Sequence, residues 1–167
     1  MVNDRILTRR IKLCLWIIII GLALSGITAF PLESELAVLK ARLSPNGTLG
    51  NWIDTIYQAI KTTNTQFPWL SYGTDWLAFA HLVIAVVFIG PLRDPARNIW
   101  VIHFGMIACI AIFPLAFIAG TIRVIPFFWR LIDCSFGVIG FVPLYFANKY
   151  TRMLEKSGVI SYLDIKS

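Results

Sequence analysis

The sequence predicts an all-α integral membrane protein, a four-helix bundle with a short helical extracytoplasmic cap, folded as a single membrane domain over residues 1–167. Hydrophobic residues make up 57% of the 167 residues and charged residues only 14%, against about 45–50% and about 25% in soluble domains. Four apolar stretches each approach the ~20 residues that a helix needs to cross a bilayer. This composition argues against a disordered chain, a coiled coil, a nucleic-acid-binding module and a soluble globule of this size.

The four apolar stretches are the predicted spans. They cover residues 13–30, 76–92, 99–120 and 127–147. The first follows a basic start, which also describes a secretory signal peptide, but its apolar run is longer than the 7–15 residues typical of a signal peptide. We therefore expect the first helix to be retained. Pro114 and Pro143 predict kinks in the third and fourth spans, because each removes a helical hydrogen bond.

The predicted outer loop, residues 31–75, contains two short amphipathic segments. One covers 32–43, with leucines at helical spacing, and the other covers 51–61, with Trp, Ile and Tyr on one face. The turn Ser44-Pro45-Asn46-Gly47 separates them. We expect two helices that either cap the ends of the spans or lie at the headgroup level, with a partner-binding helix as the alternative. Asn46-Gly47-Thr48 also matches a glycosylation sequon.

The distribution of basic residues predicts the orientation. If the amino terminus lies inside, the inner segments hold ten Lys and Arg residues and the outer segments hold five. The inner ones are Arg5, Arg9, Arg10, Lys12, Arg93, Arg97, Lys149, Arg152, Lys156 and Lys166. Because positive residues in short loops stay cytoplasmic, we expect both termini in the cytoplasm and some attraction to anionic lipid.

The cysteines and the absent motifs narrow the chemistry. Cys14, Cys109 and Cys134 all lie in predicted spans, and their odd number and spacing predict neither a disulfide framework nor a zinc site. The sequence contains no HExxH, GxSxG, P-loop or nucleotide-binding fingerprint. No common catalytic class is therefore indicated.

Ionisable residues inside spans are costly and mark candidate functional sites. At ~1.5 Å rise per residue, His81 lies about 7–8 Å below the outer end of the second span and Asp133 about 9 Å below that of the fourth. We hypothesise an outward-facing, ligand-binding polar pocket of His81, Arg130 and Asp133. In it the arginine would hold an anionic or carbonyl group, and the His–Asp pair would move a proton. The rim would consist of Asp75, Tyr72 and Arg123.

A structural interpretation of the same residues stays open. Arg130 and Asp133 stand at i,i+3 and would neutralise each other, while His81 would hydrogen-bond a neighbouring helix. Together with Cys134 and Gly137, the pair forms one face of the fourth span. Because small residues allow close helix approach, we expect this face to contact protein rather than lipid.

Two histidines in neighbouring spans raise the question of a haem. His103 lies about 6 Å from the inner end of the third span, so its depth differs from that of His81 by roughly 8–10 Å. One haem bridging both is therefore disfavoured, whereas a haem between subunits or a quinone bound by one histidine stays open. The alternative for His103 is a hydrogen bond between helices.

Four segments along the chain form a recognisable set: SGITAFPLESEL, GTDWLAFAHLVIA, GPLRDPARN and RLIDCSFGVIGFVPL. In them the chain resembles an uncharacterised family of small four-span bacterial inner-membrane proteins. The resemblance implies the bacterial cytoplasmic membrane, where the sequon has no role. It implies no activity, cofactor or site.

Three functional hypotheses follow. The first is a non-enzymatic accessory or small-ligand-binding membrane subunit, whose partners are the bilayer and a membrane protein or a second copy of itself. The second is a redox-associated subunit that binds haem or quinone through His81 or His103. The third is a small membrane enzyme that uses His81 and Asp133 as an acid–base pair and Arg130 as an anion clamp.

Overall fold

The structure, a computed structural model, describes residues 4–43 and 47–156, and these ranges contain helices and connecting turns but no strand. The helices are α1 (Asp4–Ala29), α2 (Leu32–Arg42), α3 (Thr48–Gln66), α4 (Pro68–Val87), α5 (Ile89–Arg93), α6 (Ile99–Ile122) and α7 (Phe127–Lys156). Asn46 of the sequon, the turn residues 44–46 and the residues after Lys156, among them Lys166, lie outside the described residues.

Four helical segments are long and apolar enough to cross a membrane. They are α1, α4 together with α5 (Pro68–Arg93), α6 and α7. The predicted all-α class with four candidate spans is confirmed, and so are the two helices between the first and second spans. The helices exceed the predicted spans because apolar sequence marks only the part suited to lipid, whereas helical hydrogen bonding continues into polar flanks.

Three prolines lie within or between the long helices. Pro114 and Pro143 are inside α6 and α7, and the kinks expected at these two positions stay a prediction. Pro91 marks the break between α4 and α5. It lacks the N–H that would bond the carbonyl of Val87, and Val87 is the last residue of α4.

The chain divides into two compact units. One comprises Met1–Ile20 and Val86–Ser167, and the other comprises Gly21–Ala85. The divisions fall inside α1 and α4. In the first unit α6 and α7 form an antiparallel hairpin, because only residues 123–126 connect them.

Small residues set the contacts within the first unit. A Cβ on Gly105 would meet Phe88 and Leu144, and one on Gly137 would meet the backbone of Cys109. The prediction that the face containing Gly137 contacts protein is thereby confirmed. The amino-terminal part of α1 also contributes to the core, since Leu7, Ile11 and Leu15 are all buried.

In the second unit α2 packs on α3. Leu36 of α2 and Ile53 of α3 are buried, and Lys40 forms an ion pair with Asp54. Hydrogen bonding to Lys40 lowers the pKa of Asp54 below its ordinary value. The end of α1 approaches α4 closely in the same unit, where a Cβ on Gly26 would lie 2.8 Å from the carbonyl oxygen of Ala78.

Candidate ligand-binding site

A cavity of about 320 Å³ lies between α2, α3, α4 and the residues that join α1 to α2. All of its lining belongs to the second unit. We call it the α2–α4 cavity. It is lined by Ala29, Phe30, Pro31, Leu32, Glu33, Ser34, Ile60, Thr63, Asn64, Leu70, Ser71, Thr74 and Asp75.

A chain of hydrogen bonds ties the three helices together at this cavity. Asn64 of α3 donates from Nδ2 to Glu33 Oε2 of α2 at 2.6 Å. The Ser71 hydroxyl of α4 donates to Asn64 Oδ1. Because Asn64 serves as donor to one helix and as acceptor from another, its side chain fixes how α2 and α4 stand against α3.

The lining combines acidic, neutral polar and apolar groups. Glu33 and Asp75 contribute carboxylates, and no Lys or Arg is among the lining residues. Leu32, Ile60 and Leu70 contribute apolar surface. A cavity of this kind offers acceptors to a positively charged or hydrogen-bond-donating group and apolar contacts to a small hydrocarbon part.

Three of the predicted site residues lie on α4, in the second unit. Asp75 is half-buried and lines the α2–α4 cavity. Tyr72 is exposed, and its ring stands edge-on to Trp76 at 6.0 Å between centroids. His81 is half-buried and donates from Nδ1 to the carbonyl oxygen of Leu77 at 2.7 Å. The hydrogen bond of His81 is thus within its own helix rather than to a neighbour.

Arg130, in the first unit, binds the connection between α6 and α7. Its Nε donates to the carbonyl oxygen of Ile125 at 2.9 Å, and its Nη1 donates to the Thr121 hydroxyl at 2.8 Å. The guanidinium also lies over the ring of Phe127, 5.8 Å from its centroid. The expected neutralisation of Asp133 by Arg130 is wrong, because no ion pair joins these two described residues and the donors of Arg130 point to the turn.

Asp133 and Arg123 complete the predicted set. Asp133 is half-buried on α7, and Arg123 is exposed where α6 ends. The six residues divide between the two units, and their assembly into one pocket stays a prediction. Of the six, Asp75 lines the α2–α4 cavity.

His103 makes the hydrogen bond between helices that was the alternative to a cofactor role. Its Nε2 lies 3.1 Å from Asn148 Oδ1 on α7. Arg152 donates from Nε to the same oxygen at 3.4 Å. Because a carbonyl oxygen only accepts, His103 donates through Nε2.

The cysteines and carboxylates do not assemble into a metal site within the described ranges. Cys14, Cys109 and Cys134 are free thiols. No group of three or more His, Cys, Asp or Glu side chains among the described residues is arranged to hold a metal ion.

Sequence reasoning missed most of the α2–α4 cavity. Asp75 is a predicted rim residue, but Glu33, Asn64 and Ser71 are not singled out by the sequence. One signal was available, since a polar run from Thr62 to Gln66 directly precedes the aromatic start of α4. That run predicts a connection, but nothing in it indicates that Asn64 meets Glu33, which lies 31 residues earlier.

The chain was compared with protein-family models, with functionally described proteins and with solved structures. None of the three comparisons gives a match.

Proposed function

We propose that this protein is a non-enzymatic membrane protein that binds a small ligand in the α2–α4 cavity. The observation that supports this proposal is the cavity itself, which combines about 320 Å³ of space with convergent polar groups from three helices. Ligand sites in proteins begin at about 300 Å³ and typically combine apolar walls with a few placed polar groups. The volume lies at the lower end of this range and therefore suits a small ligand.

The lining indicates a small organic amine as the ligand class. An ammonium group donates up to three hydrogen bonds and carries a positive charge, which Glu33 and Asp75 complement. A short hydrocarbon part would contact Leu32, Ile60 and Leu70. A carboxylate ligand would instead face two like charges, which is unfavourable.

Calorimetric titration of the full-length protein in detergent micelles tests this function. The probes are butylamine, butanol and butyrate, which have similar size and differ in charge, and protein-free micelles are the blank. We expect binding of butylamine in preference to the other two. If butyrate binds as well as butylamine, or if none of the three binds, the proposed function is wrong.

Paired variants connect the binding to the cavity. Glu33→Gln combined with Asp75→Asn should weaken butylamine binding tenfold or more, because hydrogen bonds to a charged group contribute about 1.5–3 kcal/mol. The matched control is Glu35→Gln, which removes an exposed acid from the first turn of the same helix without touching the cavity. Equal losses in the control and in the cavity variant would contradict the assignment.

The redox and enzymatic hypotheses gain no comparable support. His103 Nε2, the nitrogen that a haem iron would use, is bonded to Asn148. Arg130, the proposed anion clamp, is bonded to Thr121 and Ile125. Both residues have structural roles that account for their presence inside spans.

We further propose that the protein resides in a bacterial cytoplasmic membrane with both termini in the cytoplasm. The support is the charge asymmetry of the sequence, since positive residues in short connections stay cytoplasmic. In this orientation α2 and α3 lie on the outer side, and the ligand comes from outside the cell. The proposal also includes the expected protein partner, which is another membrane protein or a second copy of this chain.

A further inference from the structure

One face of α1 changes from basic to apolar along the helix. Arg9 and Lys12 are exposed, and they are followed at helical spacing by exposed apolar side chains. These are Leu13 at 62% exposure, Trp16 at 49% and Ile20 at 51%. The opposite face packs into the first unit through Leu7, Ile11 and Leu15, which are buried. The basic-to-apolar face therefore points away from the protein interior of this unit.

The surroundings of Arg9 and Lys12 are strongly basic. The first unit carries further basic residues on α1, α5 and α7 and in the turn before α6, namely Arg5, Arg10, Arg93, Arg97, Lys149, Arg152 and Lys156. The same stretches contain three described acids, Asp4, Asp94 and Glu155. Contacts connect these helix ends, since Arg10 lies 5.7 Å from the centroid of the Tyr150 ring and His103 bonds Asn148. The local excess of positive charge attracts anions.

We propose that an anionic phospholipid binds along this face of α1. Its phosphate is held by Arg9 and Lys12, and one acyl chain lies along Leu13, Trp16 and Ile20. The distance along the helix from Arg9 to Ile20 is about 16 Å. The hydrocarbon core of a bilayer is about 30 Å thick, so this distance is close to the thickness of one leaflet. Trp16 follows the basic residues at the depth where an indole ring favours the membrane interface.

A lipid suits this surface better than a soluble anion or an acidic protein segment. The charged part continues without interruption into a row of exposed apolar side chains, which a soluble anion would leave uncovered. A phospholipid supplies both complementary parts in one molecule, and each Lys or Arg near an anionic lipid surface strengthens binding about fivefold. The site shares no residue with the α2–α4 cavity, so the two proposals stand or fall separately.

Native mass spectrometry of the full-length protein in detergent tests the lipid site. The probes are phosphatidylglycerol, which is anionic, and phosphatidylcholine, which is zwitterionic, with matched acyl chains. We expect phosphatidylglycerol to bind preferentially. Arg9→Gln combined with Lys12→Gln should weaken its binding about 25-fold. The matched control, Arg42→Gln combined with Lys61→Gln, removes two exposed positive charges from α2 and α3 and should leave the binding nearly unchanged.

Each other outcome contradicts the proposal. Equal weakening by the two double variants would show only a general attraction to positive charge, and no weakening by Arg9→Gln with Lys12→Gln would exclude the site. Trp16→Ala provides a second variant that keeps both charges. It should weaken phosphatidylglycerol binding severalfold through lost chain contact, and unchanged binding would contradict the placement of the acyl chain.

Discussion

Arg130 stabilises the connection between α6 and α7 through the donors of its guanidinium group. It donates hydrogen bonds to the carbonyl oxygen of Ile125 and to the hydroxyl of Thr121. The Thr121 hydroxyl in turn donates a hydrogen bond to the carbonyl oxygen of Phe117. The aliphatic part of the side chain covers Gly120, where an added Cβ would lie 2.6 Å from Arg130 Cδ. This one residue therefore holds together the end of α6, the turn and the start of α7.

We predict that Arg130→Gln destabilises the protein by about 2 kcal/mol, because two hydrogen bonds from a charged group are lost. Thermal unfolding in detergent measures the loss. A double-mutant cycle identifies the partner: Arg130→Gln should couple to Thr121→Val by about 1 kcal/mol and should be additive with Asp133→Asn. Strong coupling to Asp133 instead would restore the ion pair that the sequence predicted.

Val124 adopts a backbone conformation that disfavours its side chain. Its φ is 56°, in the left-handed region that is costly for β-branched residues. Ile125 N–H bonds the carbonyl oxygen of Gly120 at 2.8 Å and Val124 N–H bonds that of Thr121 at 3.2 Å. These two bonds form a Schellman motif, which places a left-handed residue at the position of Val124 and usually uses glycine there.

Val124→Gly should therefore raise the stability, by about 0.5–1 kcal/mol. The gain is the relief of about 1–2 kcal/mol of left-handed strain, less the entropy that glycine loses on folding. The matched control is Val138→Gly on α7, which is also exposed but lies inside a helix and should lose about 0.3 kcal/mol from helix propensity. The thermal unfolding midpoints of the two variants in detergent test this prediction. A lower midpoint in both variants would contradict the proposed backbone strain at Val124.

At the scale of the helical elements, the close contact between α6 and α7 depends on a glycine, which has no side chain to separate the two helices. A Cβ on Gly137 would lie 2.7 Å from the carbonyl oxygen of Cys109. The obstacle is backbone, so one helix has to shift before any larger residue fits. Helices in membranes commonly use small residues in this way, because lipid provides no hydrophobic drive to bring them together.

We expect Gly137→Ala to destabilise the protein by about 1–3 kcal/mol, the range typical of overpacking. Gly73→Ala on α4 is the control, since a Cβ at Gly73 meets nothing within 4 Å and alanine is the better helix former. That variant should be neutral or up to about 1 kcal/mol more stable. Thermal unfolding in detergent measures the stability change of each variant. Equal changes in the two variants would show that helix propensity alone, and not the close contact at Gly137, determines the effect.

The elements were predictable because each is specified by contiguous residues. Apolar runs near 20 residues give the four candidate spans, and the leucine spacing after Pro31 gives α2. The ends were less predictable, since α4 begins at Pro68 rather than Trp76 and α3 extends to Gln66. Helical hydrogen bonds continue through polar residues such as Ser71 and Asp75, so the loss of apolar character marks the edge of a span but does not mark the end of a helix.

At the scale of the whole molecule, the candidate site was much less predictable than the fold. The α2–α4 cavity joins residues from Ala29 to Asp75 that come from four segments. Its central contact, Asn64 with Glu33, depends on how α2 packs against α3. Depth along a helix, the quantity used for His81 and Asp133, follows from local sequence, but the direction of a side chain and its partner follow from packing.

The orientation is the remaining prediction for the whole molecule, and it determines from which side of the membrane the proposed ligand of the α2–α4 cavity would come. We expect alkaline phosphatase, which is active only outside the cytoplasm, to be active when fused after residue 47 and after residue 123. Green fluorescent protein becomes fluorescent in the cytoplasm but not after export in an unfolded state. It should therefore fluoresce when fused after residue 97 and after residue 156. The physical reason is the excess of Lys and Arg around α1, α5 and the end of α7, which resists transfer across the membrane. The opposite pattern at all four positions would invert the protein and place the proposed ligand in the cytoplasm. A switch at residue 156 alone would remove the fourth span, and a switch at residue 97 or 123 alone would remove the two spans that flank it.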